Sequence, residues 1–178
     1  MLKKAFISIT FLFSFSFYGQ NANNSGSIAI NGNFSKASIK AYQESAILKI
    51  EDYYNYLELL SSTSTSDDLK TEIKAALFSL FKNNYIQVFD FTLEEKKQIS
   101  LIELIEKIKN KNYSFLISNS TNTFLSNNYW TTVYDLEVHQ ENNNRVLKYS
   151  QKVYFTPTTK RFGSTEKQVW TIKLGEIE

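Results

Sequence analysis

Residues 129–140 read YWTTVYDLEVHQ, and their alternation decides the fold class. Trp130, Thr132, Tyr134, Leu136 and Val138 fall on one side of an extended chain, while Asp135, Glu137 and His139 fall on the other. A period of two predicts a strand with one face in a core. Downstream, Arg145–Thr156 repeats the pattern with Leu147, Tyr149, Val153 and Phe155, and Lys167–Ile177 repeats it with Gln168, Trp170, Ile172 and Leu174. Upstream, Tyr113–Ser118, running on towards Phe124, supplies a fourth strand. Glu141–Asn144 suits a hairpin, and Thr156–Ser164, with Pro157 and Gly163, predicts a longer turn.

Before these strands the period changes. Ile39, Tyr42, Ala46, Ile50, Tyr53, Leu57 and Leu60 recur at intervals of three and four, which predicts one long helix over Ser35–Ser61. Glu44, Glu51 and Glu58 lie off that stripe, as a solvated face would. A Ser/Thr break follows, and Asp67 and Asp68 then open a second helix, where the helix dipole favours acids; a helix start explains this pair better than a metal site does. Leu69, Ile73, Ala76, Leu77, Leu80 and Phe81 form its stripe, and Asn83 with Asn84 ends it. Tyr85–Phe91 predicts a short strand with Ile86, Val88 and Asp90 on one face. After a charged loop at Glu94–Lys97, Ser100 and Glu103 form a capping box for a short third helix carrying Leu101, Ile102, Leu104, Ile105 and Ile108.

The sum is an α+β domain over residues 35–178: three N-terminal helices and a short strand on a mostly antiparallel sheet of four long strands. The chain has 178 residues, 42% hydrophobic, with one proline and five glycines, so a wholly disordered or collagen-like chain is excluded. Cysteine is absent, which excludes disulfides, thiolate metal sites, a cysteine nucleophile and a thioether-linked lipid.

Residues 1–20 read as a signal peptide. Lys3 and Lys4 precede an uncharged, Phe-, Ile- and Leu-rich run from Ala5 to Tyr18 that is short for a bilayer span, and residues 21–34 form an Asn/Ser/Gly-rich flexible lead. The competing reading is an uncleaved anchor. Cleavage implies an exported protein, periplasmic or extracellular, with no integral span remaining. It also removes two of the 20 basic residues and leaves them level with the 18 acidic ones. A neutral domain with two arginines, Arg145 and Arg161, lacks the footprint of a nucleic-acid binder.

The order helix, helix, short strand, helix, four long strands, with segments such as IEDYYNYLELL, LFKNNYIQVFDF and NYWTTVYDLEVHQ, resembles the nuclear-transport-factor-2-like superfamily, the cystatin-like α+β cone. The resemblance covers about residues 35–178. It implies a strongly curved sheet wrapped about the long helix, a pocket between them, and a homodimer through the outer sheet face. It carries no catalytic signature, since the superfamily holds both small-molecule isomerases or dehydratases and non-catalytic binding modules.

Two functions follow as expectations. In the first, the domain is a non-catalytic binding module for a small apolar ligand or a protein or cell-envelope partner, with Trp130, Tyr134, Trp170, Tyr42 and Tyr53 as the pocket wall. In the second, it is a pocket enzyme in which Asp90, facing the interior, has a raised pKa and acts as general base. The ketosteroid-isomerase-like members imply a tyrosine donor, for which Tyr42 or Tyr53 would serve; their second acidic donor has no counterpart here. The competing reading of Asp90 is a cap on the loop before Thr92. His139 is the only histidine, and three alternate strand residues, about 7 Å apart pairwise, converge poorly on one ion, so Asp135, Glu137 and His139 read as a solvated or subunit-facing row. No metal or cofactor is expected.

Overall fold

The Ser35 hydroxyl accepts from the Ser38 amide at 3.1 Å and starts helix α1, Lys36–Ser61. The computed structural model describes residues 34–177, except 84, 96, 127 and 142. The expected signal peptide at 1–20 and most of the lead at 21–34 therefore lie outside the described residues. Phe34, the last residue of that lead, packs its ring edge-on to Tyr42, Phe155 and Trp170 at 5.7, 5.2 and 5.3 Å.

The α1 stripe is buried as the spacing predicts. Ala46, Ile50, Tyr53, Leu57 and Leu60 are in the core, and Ile39 and Tyr42 pack at its margin. Ser61, also buried, accepts from Tyr113 N at 2.9 Å and so ties the end of the helix to the first long strand.

Helix α2, Asp67–Ser79, is capped by Ser66, with Asp67 and Asp68 in its first turn. It stops before the expected Asn83, and Asn84 lies outside the described residues. The reason is local: Leu80 N bonds back to Leu77 O, and the chain then lies along the last strand, with Leu174 N donating to Leu80 O at 2.8 Å and Lys82 N to Leu174 O at 2.9 Å. Leu80 and Phe81 are thus buried outside the helix, while Leu69, expected inside, is 47% exposed.

The expected strand at Tyr85–Phe91 narrows to β1, Gln87–Phe89, which pairs antiparallel with β2, Gln98–Ser100. Ser100 ends β2 and caps helix α3, Leu101–Ile108, by accepting from Glu103 N at 3.1 Å. Ile102 departs from expectation at 52% exposed.

The main sheet is antiparallel and open, in the order β3 (Tyr113–Leu125), β4 (Tyr129–Gln140), β5 (Asn143–Phe162) and β6 (Thr165–Ile177). The predicted row on β4, Trp130 to Val138, is buried throughout. The longer turn expected at Thr156–Ser164 is corrected: β5 continues to Phe162, which pairs with Thr165 across a two-residue hairpin. Gly163, at φ 64°, supplies the left-handed backbone that this hairpin needs. Pro157 sits within β5 opposite Trp170, past the last β4 partner, so it interrupts no ladder on that side. The register shifts within β3 against β4 and between Gln151 and Val153 against β6, each a bulge or similar irregularity. Helix α1 packs against β3, β6, α2 and α3. Among the described residues no helix is long and apolar enough to cross a membrane.

Candidate functional site: a lysine-lined groove beside β6

The five aromatics expected to line one pocket part company. Trp130, Tyr53 and Tyr134 are fully buried and fill the space between α1 and the sheet. The Tyr54 and Tyr134 hydroxyls lie 3.0 Å apart, and Tyr134 donates to Gln151 Oε1 at 3.2 Å. Burial pushes the Tyr53, Tyr54 and Tyr134 phenols well above their ordinary range. All three are neutral core groups, and the Tyr54 and Tyr134 hydroxyls need each other, because an unpaired polar group at such depth is costly. Gln151 was legible: it falls in phase with Tyr149 and Val153 on the buried face of β5, and a buried amide requires partners.

Asp90 is buried, 1% exposed, as the alternation predicts. Its Oδ1 accepts from Thr92 N at 3.0 Å and Thr92 Oγ1 at 2.5 Å, an Asx turn, and its Oδ2 accepts from Lys107 Nζ of α3. Burial raises the carboxyl pKa, but the Lys107 and Thr92 hydrogen bonds outweigh it and hold the group below the ordinary aspartate value. The expected raised pKa is thereby corrected. Arg145 closes the same loop, donating to Leu93 O at 3.1 Å and Phe91 O at 2.8 Å. Neither Tyr42 nor Tyr53 hydrogen-bonds to Asp90 among the described residues.

On the other face of β4, Asp135 accepts from Asn119 Nδ2 at 2.9 Å and His139 Nε2 lies 3.7 Å from Glu137. Among the described residues no three His, Asp or Glu side chains gather as a metal site would need.

Tyr42 and Trp170 do line one groove. With Ser45 and Lys49 they line an open groove of about 490 Å³ between α1 and the β5–β6 end of the sheet. Tyr42, Ser45 and Lys49 are three and four residues apart, so one helix face presents all three. Thr158 and Lys160 come from β5, and Thr171, Ile172 and Lys173 join Trp170 from β6. Trp170 lies stacked on Phe155 at 4.6 Å, which fixes its ring, and Phe34 and Tyr42 brace the same cluster. The groove is larger than the hollows beside Tyr85, between α2 and α3, and between α1 and β3, at about 230, 260 and 200 Å³. Lys173 donates to Ser79 O, and its pKa is lowered, first by burial and then by the Lys49 and Lys160 charges.

No family model, curated protein or solved structure matches the chain.

Proposed function

We propose that the chain is an exported, non-catalytic binding module of the nuclear-transport-factor-2-like type, a curved sheet coned about α1, whose ligand lies in the groove beside β6. The observation that carries this reading is the groove itself. Its volume falls within the roughly 300–1,000 Å³ of small-molecule sites, and it joins two aromatic rings to a few polar groups, the usual composition of such sites. The element order, the antiparallel order β3-β4-β5-β6 and the register shifts support the family likeness. The alternative, an isomerase or dehydratase using Asp90 as base, has less support. That carboxylate is already held by Thr92 and Lys107, and a base must be free to take a proton.

Export rests on Lys3, Lys4 and the apolar run to Tyr18. N-terminal sequencing of the exported protein is expected to begin between Gly19 and Ala22, and intact Met1 recovered from the membrane fraction overturns export.

Binding is read through Trp170. Trp130 and Trp170 are the two tryptophans, so Trp130→Phe leaves the groove residue as the sole indole reporter. Neutral N-phenyl-1-naphthylamine is expected to quench Trp170 emission saturably. Tyr42→Ala, verified as folded by circular dichroism, should weaken it about tenfold through lost apolar contact. Quenching that never saturates, or is indifferent to Tyr42→Ala, overturns the site.

A further inference from the structure

We infer that the groove takes an anionic amphiphile, with a carboxylate, sulfonate or phosphate head among Lys49, Lys160 and Lys173 and an apolar body on Tyr42 and Trp170. This rests on the binding role proposed above and specifies its ligand.

The full chain carries 20 basic and 18 acidic residues, so its charges nearly cancel. The groove departs from that balance: three lysines line it, and no acidic residue does. The hollow between α2 and α3 shows the ordinary arrangement, where Lys70, Lys74 and Lys109 are accompanied by Asp67 and Glu106, with Lys74 and Glu106 3.8 Å apart. Among the described residues none of Lys49, Lys160 and Lys173 has a carboxylate within ion-pair distance.

Like charges gathered without a counter-ion repel one another and destabilise the fold, and a concave wall concentrates their field. A bound anion relieves that repulsion. The lysines also have donors to spare. Lys173 gives one N–H to Ser79 O and retains two, and the Ser45 hydroxyl lines the same groove, whereas Thr158 and Thr171 are already hydrogen-bonded to each other at 3.0 Å. An ammonium is a point charge that suits carboxylate, sulfonate and phosphate alike, so the geometry specifies charge before shape. The apolar body follows from Trp170 and Tyr42, whose rings are fixed from behind by Phe155 and Phe34 and need no rearrangement on binding.

The test compares 8-anilinonaphthalene-1-sulfonate with N-phenyl-1-naphthylamine, the same ring system with and without the anion, each titrated against Trp170 emission in the Trp130→Phe protein. The sulfonate is expected to bind at least tenfold tighter, and its advantage should shrink as salt is raised. The Lys49→Gln/Lys160→Gln/Lys173→Gln variant, verified as folded by circular dichroism, should lose that advantage, so that it binds the two probes alike. Equal affinity for the two probes, or a sulfonate preference that survives the triple substitution, overturns the inference while leaving the binding role standing. Failure of both probes to reach Trp170 removes the binding role and the inference together. Vesicles separate the two sources of such a head. A Trp170 blue shift on phosphatidylglycerol but not phosphatidylcholine vesicles, lost in the triple variant, assigns the head to a membrane lipid. Sulfonate binding with no vesicle response assigns it to a soluble amphiphile, and either result sustains the shared chemistry.

Discussion

Trp130→Ala is expected to lower the stability of the domain by about 3–5 kcal/mol, the range for truncating a large core aromatic. Trp130 is fully buried on the inner face of β4 and neighbours Phe155, 6.3 Å away between ring centroids, so its truncation leaves a cavity within the core. Its indole nitrogen is also the one buried side-chain donor or acceptor, among the described residues, without a hydrogen-bond partner. That orphan predicts an asymmetry. Trp130→Phe removes the unpaired N–H together with part of the ring, so the lost packing is partly offset and the cost should be about 1–2 kcal/mol. Urea denaturation of the wild type and the two variants measures both. A Trp130→Phe loss as large as that of Trp130→Ala would show that the indole nitrogen is satisfied after all. A negligible loss for Trp130→Ala would show that the side chain does not hold the core.

The same residue shows what the sequence makes legible. The row from Trp130 to Val138 is a strict alternation on a central strand, and flanking strands on both sides leave one solution for its faces. The α1 stripe is legible for the like reason, with a capping serine at its start. Other features escape because neighbours elsewhere in the chain create them. β2 is three residues long and exists only because β1 lies beside it. The extension of β5 hides behind Pro157, which reads as a breaker until the strand is known to have an open side there. Aromatic residues announce a core without saying which of them reach its surface. Tyr42 and Tyr53 occupy the same stripe of α1, yet one borders a groove and the other is sealed. The groove lysines come from α1, β5 and β6, far apart in sequence, and each alone reads as a solvated charge. Their juxtaposition belongs to the tertiary fold.

Lys107→Met is expected to cost about 2 kcal/mol at neutral pH, more than Asp90→Asn, although the two substitutions break the same ion pair. The asymmetry comes from burial. The Asp90 side chain is wholly buried while that of Lys107 is 36% exposed. Removing the lysine strands a carboxylate in the core with Thr92 as its remaining donor, whereas removing the carboxylate charge leaves an ammonium that can turn to water. Fully buried pairs lose roughly 3–5 kcal/mol when one partner goes, and the solvent at the lysine end places this one below that range. Asp90→Asn retains an oxygen for the Thr92 amide, so about 1 kcal/mol is expected. Acid then separates charge from shape. The folded Asp90 pKa lies below its unfolded value, so the ionised carboxylate contributes stability above the unfolded pKa, about 4. That contribution is lost as pH falls through the folded pKa, where both states bind the proton. The stability gap between wild type and Asp90→Asn, measured by denaturation at pH 7 and again near pH 2.5, should therefore narrow in acid. A gap of constant size would mean that Asp90 acts through its shape alone, and a gap that widened would mean that its pKa is raised, restoring the chemistry a general base requires.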